Sequence, residues 1–174
     1  MIREGCEHGC IYGFARPSHS YLDVSPGLDF EGRIFAKVNA GELLRQEFSR
    51  RTYVPNSIAI GVNTDAYQHC EREFRTTCEV LDVLTECRHP YGLMTKSALI
   101  ERDIDLIAPM AEKGLACVAI TLTTLDKKIA RTLEPRAATP ARRSRAIRTL
   151  TDAGISVSVS VASIIPFITD TEIE

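Results

Sequence analysis

The chain alternates short apolar runs with longer segments whose apolar residues recur at helical spacing. Residues 57–63 are rich in β-branched side chains and have the pattern of a strand buried on both faces. They are followed by a predicted helix over residues 72–88, whose apolar face consists of Phe74, Cys78, Leu81 and Leu84. The alternation continues with predicted strands at 91–95, 117–123 and 155–162 and with helices at 101–113 and 126–133.

Capping residues mark the predicted helix boundaries. Asp126 is placed to cap the helix that follows it, and Thr139 with Pro140 opens a helix that Gly154 closes. Pro109 conflicts with its surroundings, because it lies well inside a predicted helix. An interior proline costs about 3 kcal/mol, since it removes a hydrogen bond and clashes with the preceding turn. The sequence therefore predicts a kink or a break there.

Repeated strand–helix units indicate the fold class. Residues 33–38 are a further candidate strand, and Asn39 with Glu42 resembles a capping box for a helix that ends at Arg50. Alternation over this length predicts an α/β fold with a mainly parallel sheet. Right-handed crossovers place the helices outside a barrel or on both faces of an open sheet, and periodicity does not separate these two.

The sequence predicts one domain over residues 1–174, because no linker or low-complexity stretch divides it. Residues 166–174 resemble the loop and the start of a helix after the last strand. We therefore expect a fragment that stops early, with an uncovered strand edge that favours self-association.

Composition and charge exclude several classes of protein. Hydrophobic residues make up 44% and charged residues 25% of the 174 residues, as in ordinary globular domains. The formal net charge is −2, so the chain as a whole lacks the basic field that holds nucleic acid. No apolar stretch is long enough to span a membrane, and the N-terminus lacks the apolar region of a secretory signal. These features predict a cytoplasmic protein.

The six cysteines are expected to be reduced thiols or metal ligands rather than disulfides, given the chain length and the absence of a signal. Two of them lie in residues 5–17, which read Gly-Cys-Glu-His-Gly-Cys-Ile-Tyr-Gly-Phe-Ala-Arg-Pro. This segment resembles the iron–sulfur loop of the radical S-adenosylmethionine (radical SAM) superfamily, Cys-x3-Cys-x2-Cys with an aromatic residue before the last cysteine. Cys6 and Cys10 match the first two positions and Tyr12 matches the aromatic one. Gly13 stands where the third cysteine belongs.

The resemblance implies a [4Fe–4S] cluster held by three thiolates, with one iron free to bind the amine and carboxylate of S-adenosylmethionine. An electron from an external donor then cleaves the sulfonium to give a 5′-deoxyadenosyl radical, which abstracts hydrogen from a substrate. The implied fold is an incomplete parallel (β/α) barrel with about five β/α units. The sequence does not identify the substrate.

The resemblance covers nearly the whole chain and points to the branch that contains spore photoproduct lyase and DNA-repair-photolyase-like proteins. The segments that carry it are residues 15–21, 28–31, 63–68, 95–97 and 133–136. By this resemblance Thr64 and Asp65 hold the amino group of S-adenosylmethionine, and Lys96 pairs with its carboxylate. Thr121 or Thr123 assists with a hydroxyl. All of these residues follow predicted strands, at the end where α/β folds bind ligands.

Gly13 leaves a second hypothesis open. Glycine supplies no thiolate, and His8, His19 and Cys70 are substitutes outside the motif spacing. The alternative is a catalytically degenerate, truncated homologue or an interaction module with no stable cluster. A zinc site built on the two loop cysteines is disfavoured, because tetrahedral zinc requires four ligands.

The remaining sulfur and basic side chains have simpler interpretations. Three cysteines lie on predicted apolar faces and are expected to be small core residues: Cys78, Cys87 and Cys117. His69 and His89 are expected at the surface. One predicted helix carries a basic face that permits nucleic-acid binding, although such faces are usually only solvated: Arg142, Arg143, Arg145 and Arg148.

Overall fold

The computed structural model describes residues 2–172. The strands in this part of the chain are β1 (Arg3–Glu4), β2 (Phe35–Ala36), β3 (Ile58–Ile60), β4 (Tyr91–Thr95), β5 (Ala116–Thr121) and β6 (Val157–Ser160). The α-helices are α1 (Asp29–Gly32), α2 (Ala40–Phe48), α3 (Glu71–Phe74), α4 (Thr76–Glu86), α5 (Ile104–Glu112), α6 (Lys127–Leu133) and α7 (Pro140–Asp152). Short 3-10 helices span Arg16–Leu22, Ala98–Asp103 and Asp170–Glu172.

Strands β3 to β6 form one parallel sheet in sequential order. In its register Leu93 lies opposite Val118, which lies opposite Val157. β1 and β2 form a separate antiparallel pair in which Glu4 faces Phe35. Within residues 2–172 the sheet stays open, because β3 and β6 each have a strand neighbour on one side only. The predicted α/β fold with a parallel, incomplete barrel is confirmed.

The helices cover one face of this sheet. Alternate residues of β4 and β5 point into the core and are almost fully buried: Tyr91, Leu93, Val118 and Ile120. They pack with apolar side chains of α4, α5 and α7, namely Leu81, Leu84, Ile107, Met110 and Leu150. Burying an aliphatic or aromatic side chain of this size contributes about 1.5–3 kcal/mol, so this layer holds the fold together.

The opposite face of the sheet carries mostly small or polar residues and is partly accessible. It includes Gly92 of β4 and Cys117 of β5, which is exposed and not the core residue that the sequence predicted. The prediction that the first strand is buried on both faces is also wrong, because Ala59 of β3 is exposed. Because the helices lie on one side of this open sheet, its other side is less fully covered, although a strand end there is buried at Thr121.

The predicted helix over residues 72–88 is two helices, α3 and α4, separated at Arg75 with a left-handed φ of 48°. The carboxylate of Glu71 accepts the N–H groups of Thr77 and Cys78 at 3.0 and 3.3 Å. A buried carboxylate at the N-terminus of α4 satisfies N–H groups that a continuous helix would have bonded internally. As a result Phe74 is 42% exposed instead of lying on the apolar face.

Three other local predictions are corrected. Asn39 precedes α2 but makes no side-chain cap hydrogen bond, because its backbone is not extended as a cap requires. α5 continues through Pro109 without a break, since the carbonyl that loses its partner belongs to exposed Asp105, where water can bond it. His89 is buried and stacks on the ring of Phe48 at 4.5 Å.

Several cap predictions are confirmed. The side chain of Asp126 accepts the N–H groups of Lys128 and Ile129 at 2.6 and 2.9 Å at the start of α6. Thr139 caps α7, whose first residue is Pro140. These caps set where each helix begins, and therefore fix the loops that lie between them and the strand ends.

Candidate functional site

A cavity of about 190 Å³ lies at the carboxyl ends of the parallel strands. Each strand end contributes one wall: Gly61 after β3, Thr95 in β4, Thr121 in β5 and Ser160 in β6. The remaining wall is the loop over residues 6–15, which carries Cys6 and Cys10. The topology therefore brings the cysteine loop over the end of the sheet where α/β folds bind ligands.

The cysteine loop owes its shape to glycines and to contacts with other segments. Gly5 and Gly9 have positive φ angles of 85° and 70°, which other residues rarely adopt. The N–H of Cys6 donates to the carbonyl of Phe30 at 2.9 Å, and the N–H of Gly13 donates to the carbonyl of Cys10 at 3.2 Å. These bonds fix where both thiols enter the cavity.

Both thiols have raised pKa values. Burial raises the pKa of the Cys6 thiol, and burial raises the pKa of Cys10 to about 11 despite the opposing charge of Lys96. At neutral pH the two side chains are therefore protonated, and a metal that binds them must displace their protons.

Asp65 is the most heavily hydrogen-bonded carboxylate of the cavity. It accepts the hydroxyl of Thr95 at 2.6 Å and the backbone N–H groups of Lys96 and Tyr67 at 2.7 and 2.8 Å. Burial alone would raise the pKa of Asp65, but the neighbouring His8 and these hydrogen bonds lower it. Asp65 is therefore an anion held at a fixed position in the cavity wall.

Lys96 supplies a positive charge to the same cavity. Its Nζ lies 5.9 Å from the centre of the Tyr12 ring. It makes no ion pair with any residue in the 2–172 range, so its charge is available to an anionic ligand. Asp65 and Lys96 thus place opposite charges in one cavity that also contains two thiols.

Of the eight residues that the sequence singles out, the cavity brings together Cys6, Cys10, Tyr12, Asp65, Lys96 and Thr121. Thr64 lies outside it, bonded to the carbonyl of Arg3 at 3.2 Å, and lines a separate cavity of about 410 Å³ between α2 and β3. Thr123 also lies outside the smaller cavity and bonds the carbonyl of Ala162 at 3.0 Å.

The hydroxyl of Tyr12 is held by Thr123, one of the predicted site residues, and by Glu134, which the sequence did not single out. It bonds Thr123 at 3.0 Å and donates to Glu134, whose other oxygen accepts a bond from Arg143. Burial and the neighbouring charge of Glu134 raise the pKa of Tyr12. Burial would also raise the pKa of Glu134, but the charge and hydrogen bond of Arg143 outweigh burial, so the pKa of Glu134 is lowered. The predicted basic face of α7 is therefore wrong at Arg143, which is 2% exposed.

A third thiolate is missing from the cavity, and the structure distinguishes the proposed substitutes. His19 is fully buried elsewhere, with Nε2 bonded to the carbonyl of Arg33 at 3.0 Å. Cys70 does not line the cavity, and its N–H donates to Glu7 at 2.7 Å. His8 does line the cavity, and its Nδ1 makes no hydrogen bond within the described chain.

His8 is therefore the one substitute of the three that lines the same cavity as the two cysteines. Its Nδ1 stands 3.5 Å from Asp65 without hydrogen-bond alignment, and burial lowers the pKa of the imidazole. Across residues 2–172, however, no three His, Cys, Asp or Glu side chains are grouped tightly enough to hold a single metal ion. A cubane cluster is less demanding, because each of its ligands binds a different iron.

A side chain at Gly13 fits if its neighbours shift by a few tenths of an ångström. A Cβ atom there would lie 3.3 Å from the carbonyl oxygen of Cys10 and 3.7 Å from Nε of Arg16, and the glycine does not have a positive φ. The cavity thus holds two of the three thiols that a three-thiolate cluster requires, and a glycine lies at the third position.

No helix in the described residues is long and apolar enough to cross a membrane.

Comparison with known proteins identifies the family. The sequence profile of the Radical SAM superfamily matches residues 2–174. The chain belongs to the radical SAM superfamily. Its sequence relatives include an uncharacterized protein of Mycobacterium tuberculosis, 36% identical over 166 residues, which cover 95% of this radical SAM chain and 49% of the relative. Another is an uncharacterized protein of Methanocaldococcus jannaschii, 24% identical over 168 residues, which cover 97% of this chain and 60% of the relative.

The fold of this radical SAM chain resembles that of spore photoproduct lyase. A structure of that lyase complexed with dinucleoside spore photoproduct superposes with a TM-score of 0.63 at 14% identity, covering 95% of this chain and 45% of the lyase. A structure of a mutant lyase gives a TM-score of 0.61 over 92% of this chain and 44% of the lyase. At this identity the likeness establishes the fold. The radical SAM chain spans about half the length of the curated relatives it matches.

Proposed function

We propose that this radical SAM domain binds S-adenosylmethionine in the cavity at the strand ends, against an iron–sulfur cluster held by Cys6 and Cys10. The observation that carries the proposal is the meeting of the two thiols with Asp65 and Lys96 in one cavity. Asp65 would accept the amino group of S-adenosylmethionine, Lys96 would pair with its carboxylate, and Thr121 would contribute its hydroxyl at the wall. When bound, the cluster supplies the electron that cleaves the sulfonium.

The chain's own residues prepare this site without the cofactor. The three hydrogen bonds to Asp65 hold its carboxylate in place, so little reorganisation accompanies the binding of an amine. The network of Tyr12, Glu134 and Arg143 fixes the aromatic ring that forms one wall. Small residues on the sheet face away from the helices, such as Gly92 and Cys117, would leave room there for a substrate.

Gly13 favours a second candidate function, a degenerate domain that keeps the fold and has lost stable cluster binding. The two candidates differ in whether the chain with two thiols assembles a cluster at all. His8 is the group through which the first candidate would supply a third ligand, because it alone among the substitutes faces the cavity.

Anaerobic reconstitution with iron and sulfide tests both candidates. The parent chain, Gly13→Cys, Gly13→Cys with Cys6→Ala, and His8→Ala are each assayed for iron, sulfide, visible absorbance and retention of S-adenosylmethionine in equilibrium dialysis. The proposal expects Gly13→Cys to bind about four irons per chain and S-adenosylmethionine, and Cys6→Ala to abolish both. Cys87→Ala, which removes an exposed thiol away from the cavity, is the matched control and should change nothing.

The outcomes separate the candidates. A parent chain that binds iron and loses it on His8→Ala supports an active site with a histidine ligand. A colourless parent beside a coloured Gly13→Cys variant identifies the parent as degenerate. If Gly13→Cys binds neither iron nor S-adenosylmethionine, the proposed cofactor site is refuted.

A further inference from the structure

One carboxylate joins two arginines beside the cysteine loop. The two oxygens of Glu31 accept hydrogen bonds from different guanidinium groups, Oε1 from Arg16 and Oε2 from Arg136. The side chain of Glu31 is 19% exposed and does not line the cavity. Arg16, Glu31 and Arg136 are called the loop clamp below.

Each arginine of the loop clamp holds a different part of the loop. Arg16 donates from Nη2 to the carbonyl of Cys10 at 3.1 Å. Arg136 donates from Nε to the carbonyl of Glu7, and its backbone N–H donates to the carbonyl of His8 at 3.1 Å. The backbone between and at the two cysteines is thus tied down by two cations that share one anion.

The packing of Arg136 over the loop is close. A Cβ atom on Gly9 would come within 2.5 Å of Nη2 of Arg136, and Gly9 has a φ of 70°. A residue other than glycine would therefore displace the guanidinium and strain the backbone. Gly9, the residue before Cys10, is required by the loop clamp as well as by the turn.

The carboxylate of the loop clamp is ionised at neutral pH. Burial alone would raise the pKa of Glu31, but the hydrogen bonds from Arg16 and Arg136 lower it. Both bonds are therefore charge-assisted, which makes them roughly twice as strong as neutral ones. They connect segments that lie 15 and 105 residues from Glu31 along the chain.

Each member of the loop clamp comes from one of the segments that carried the family resemblance: Arg16 from 15–21, Glu31 from 28–31 and Arg136 from 133–136. None of the three touches the cavity. Ala15 and Phe30 of these segments line the cavity, and the loop clamp adds contacts from Arg16 and Arg136 to the loop carbonyls.

We propose that Glu31 is a positioning residue that sets the spacing of Cys6 and Cys10 by holding Arg16 and Arg136 against the loop carbonyls. The inference rests on the proposed function in treating this loop as the cluster loop. Removing the carboxylate frees both guanidinium groups, so the loop loosens and its thiols lose their shared orientation.

The first test uses the chain without any cluster. Native protein is treated with iodoacetamide, and the alkylation rate of each cysteine is followed by peptide mass spectrometry. In Glu31→Gln the rates at Cys6 and Cys10 should rise about tenfold, because loosening exposes thiols that burial now protects. The exposed Cys87 and Cys117 should react at unchanged rates and serve as internal controls.

Two further variants test whether the geometry of the loop clamp, rather than its charge or a general loss of stability, controls the loop thiols. Arg136→Lys keeps the charge, but its single ammonium group cannot donate to both Glu31 and the Glu7 carbonyl as the guanidinium does. Cys6 and Cys10 should therefore again react faster. Glu101→Gln is the matched control, since Glu101 is also 19% exposed and pairs with a single arginine away from the loop. It should leave the rates at both loop thiols unchanged.

A second test uses reconstituted protein that carries Gly13→Cys. Adding Glu31→Gln should shorten the half-life of iron loss to a chelator severalfold and alter the electron paramagnetic resonance spectrum of the reduced cluster. Unchanged alkylation at Cys6 and Cys10 in both Glu31→Gln and Arg136→Lys overturns the inference, as does equal acceleration at every cysteine. Selective acceleration in a Gly13→Cys chain that binds neither iron nor S-adenosylmethionine supports the loop clamp while refuting the proposed function.

Discussion

Asp65, which follows β3, accepts the backbone N–H of Lys96, which follows β4, at 2.7 Å. The bond joins the ends of two neighbouring parallel strands and fixes the carboxylate beside the residue whose ammonium group shares the cavity. The bond thus fixes the Asp65 carboxylate against the backbone of Lys96.

Asp65→Asn should destabilise the protein by about 1–3 kcal/mol, because the amide NH₂ group would face a donor in a buried site. Urea unfolding measures the change. Asp126→Asn is the control, since Asp126 also accepts two backbone N–H groups but at an exposed helix cap, where asparagine serves equally well. Equal losses for the two variants would contradict the importance of the buried network.

Lys96→Met should weaken S-adenosylmethionine binding about tenfold to a hundredfold, because a charged hydrogen bond contributes about 1.5–3 kcal/mol. The free energy of unfolding should change by less than about 0.5 kcal/mol, since Lys96 makes no ion pair in the described chain. Equilibrium dialysis of reconstituted Gly13→Cys protein measures the affinity. Lys113→Met, at an exposed helix end, is the matched control, and equal affinities for the two variants would argue against the role of Lys96.

Glu134 should make the free energy of unfolding depend on pH. Its folded pKa is lowered, so its contribution is complete above its unfolded pKa of about 4.3 and is lost as the pH falls through the folded pKa. Glu134→Gln leaves Arg143 buried without a counter-charge and should cost about 3–5 kcal/mol at pH 7, less towards pH 3. Thermal unfolding across pH measures this difference.

The control for that experiment is Glu112→Gln at the exposed end of α5. It should change stability by less than about 0.5 kcal/mol at every pH. A cost for Glu134→Gln that stays constant from pH 7 to pH 3 would show that charge on Glu134 is not what stabilises the pair.

Gly61→Ala should be more destabilising than its φ angle alone requires. Gly61 has a φ of 85°, and a Cβ atom there would collide with the carbonyl oxygen of Met94. Gly114→Ala isolates the conformational cost, about 1–2 kcal/mol, because Gly114 has a φ of 68° with open space around it. Urea unfolding should show about 1–3 kcal/mol more for Gly61→Ala, and equal costs would mean that the strand ends yield easily.

Local patterns identified much of the fold from sequence. β4 occupies the residues that its apolar run predicted, and α6 begins where Asp126 predicted a cap, because both signals act within a few residues of chain. The predictions of a continuous helix through Arg75 and of a buried Cys117 were wrong, because local signals do not determine these two features. Whether a helix is interrupted by a distant carboxylate, or a strand face is left uncovered, depends on residues far along the chain.

The sequence by itself determined the alternation of strands and helices, the superfamily resemblance and the order of the chemistry-bearing residues along the chain. Only the tertiary structure decided that six of the predicted residues share a cavity while Thr64 and Thr123 do not. It also decided that Arg143 is buried and that Glu31 joins two arginines at the loop. Periodicity records which side of its own element a residue faces, whereas ion pairs between segments 100 residues apart exist only once the sheet has brought those segments together.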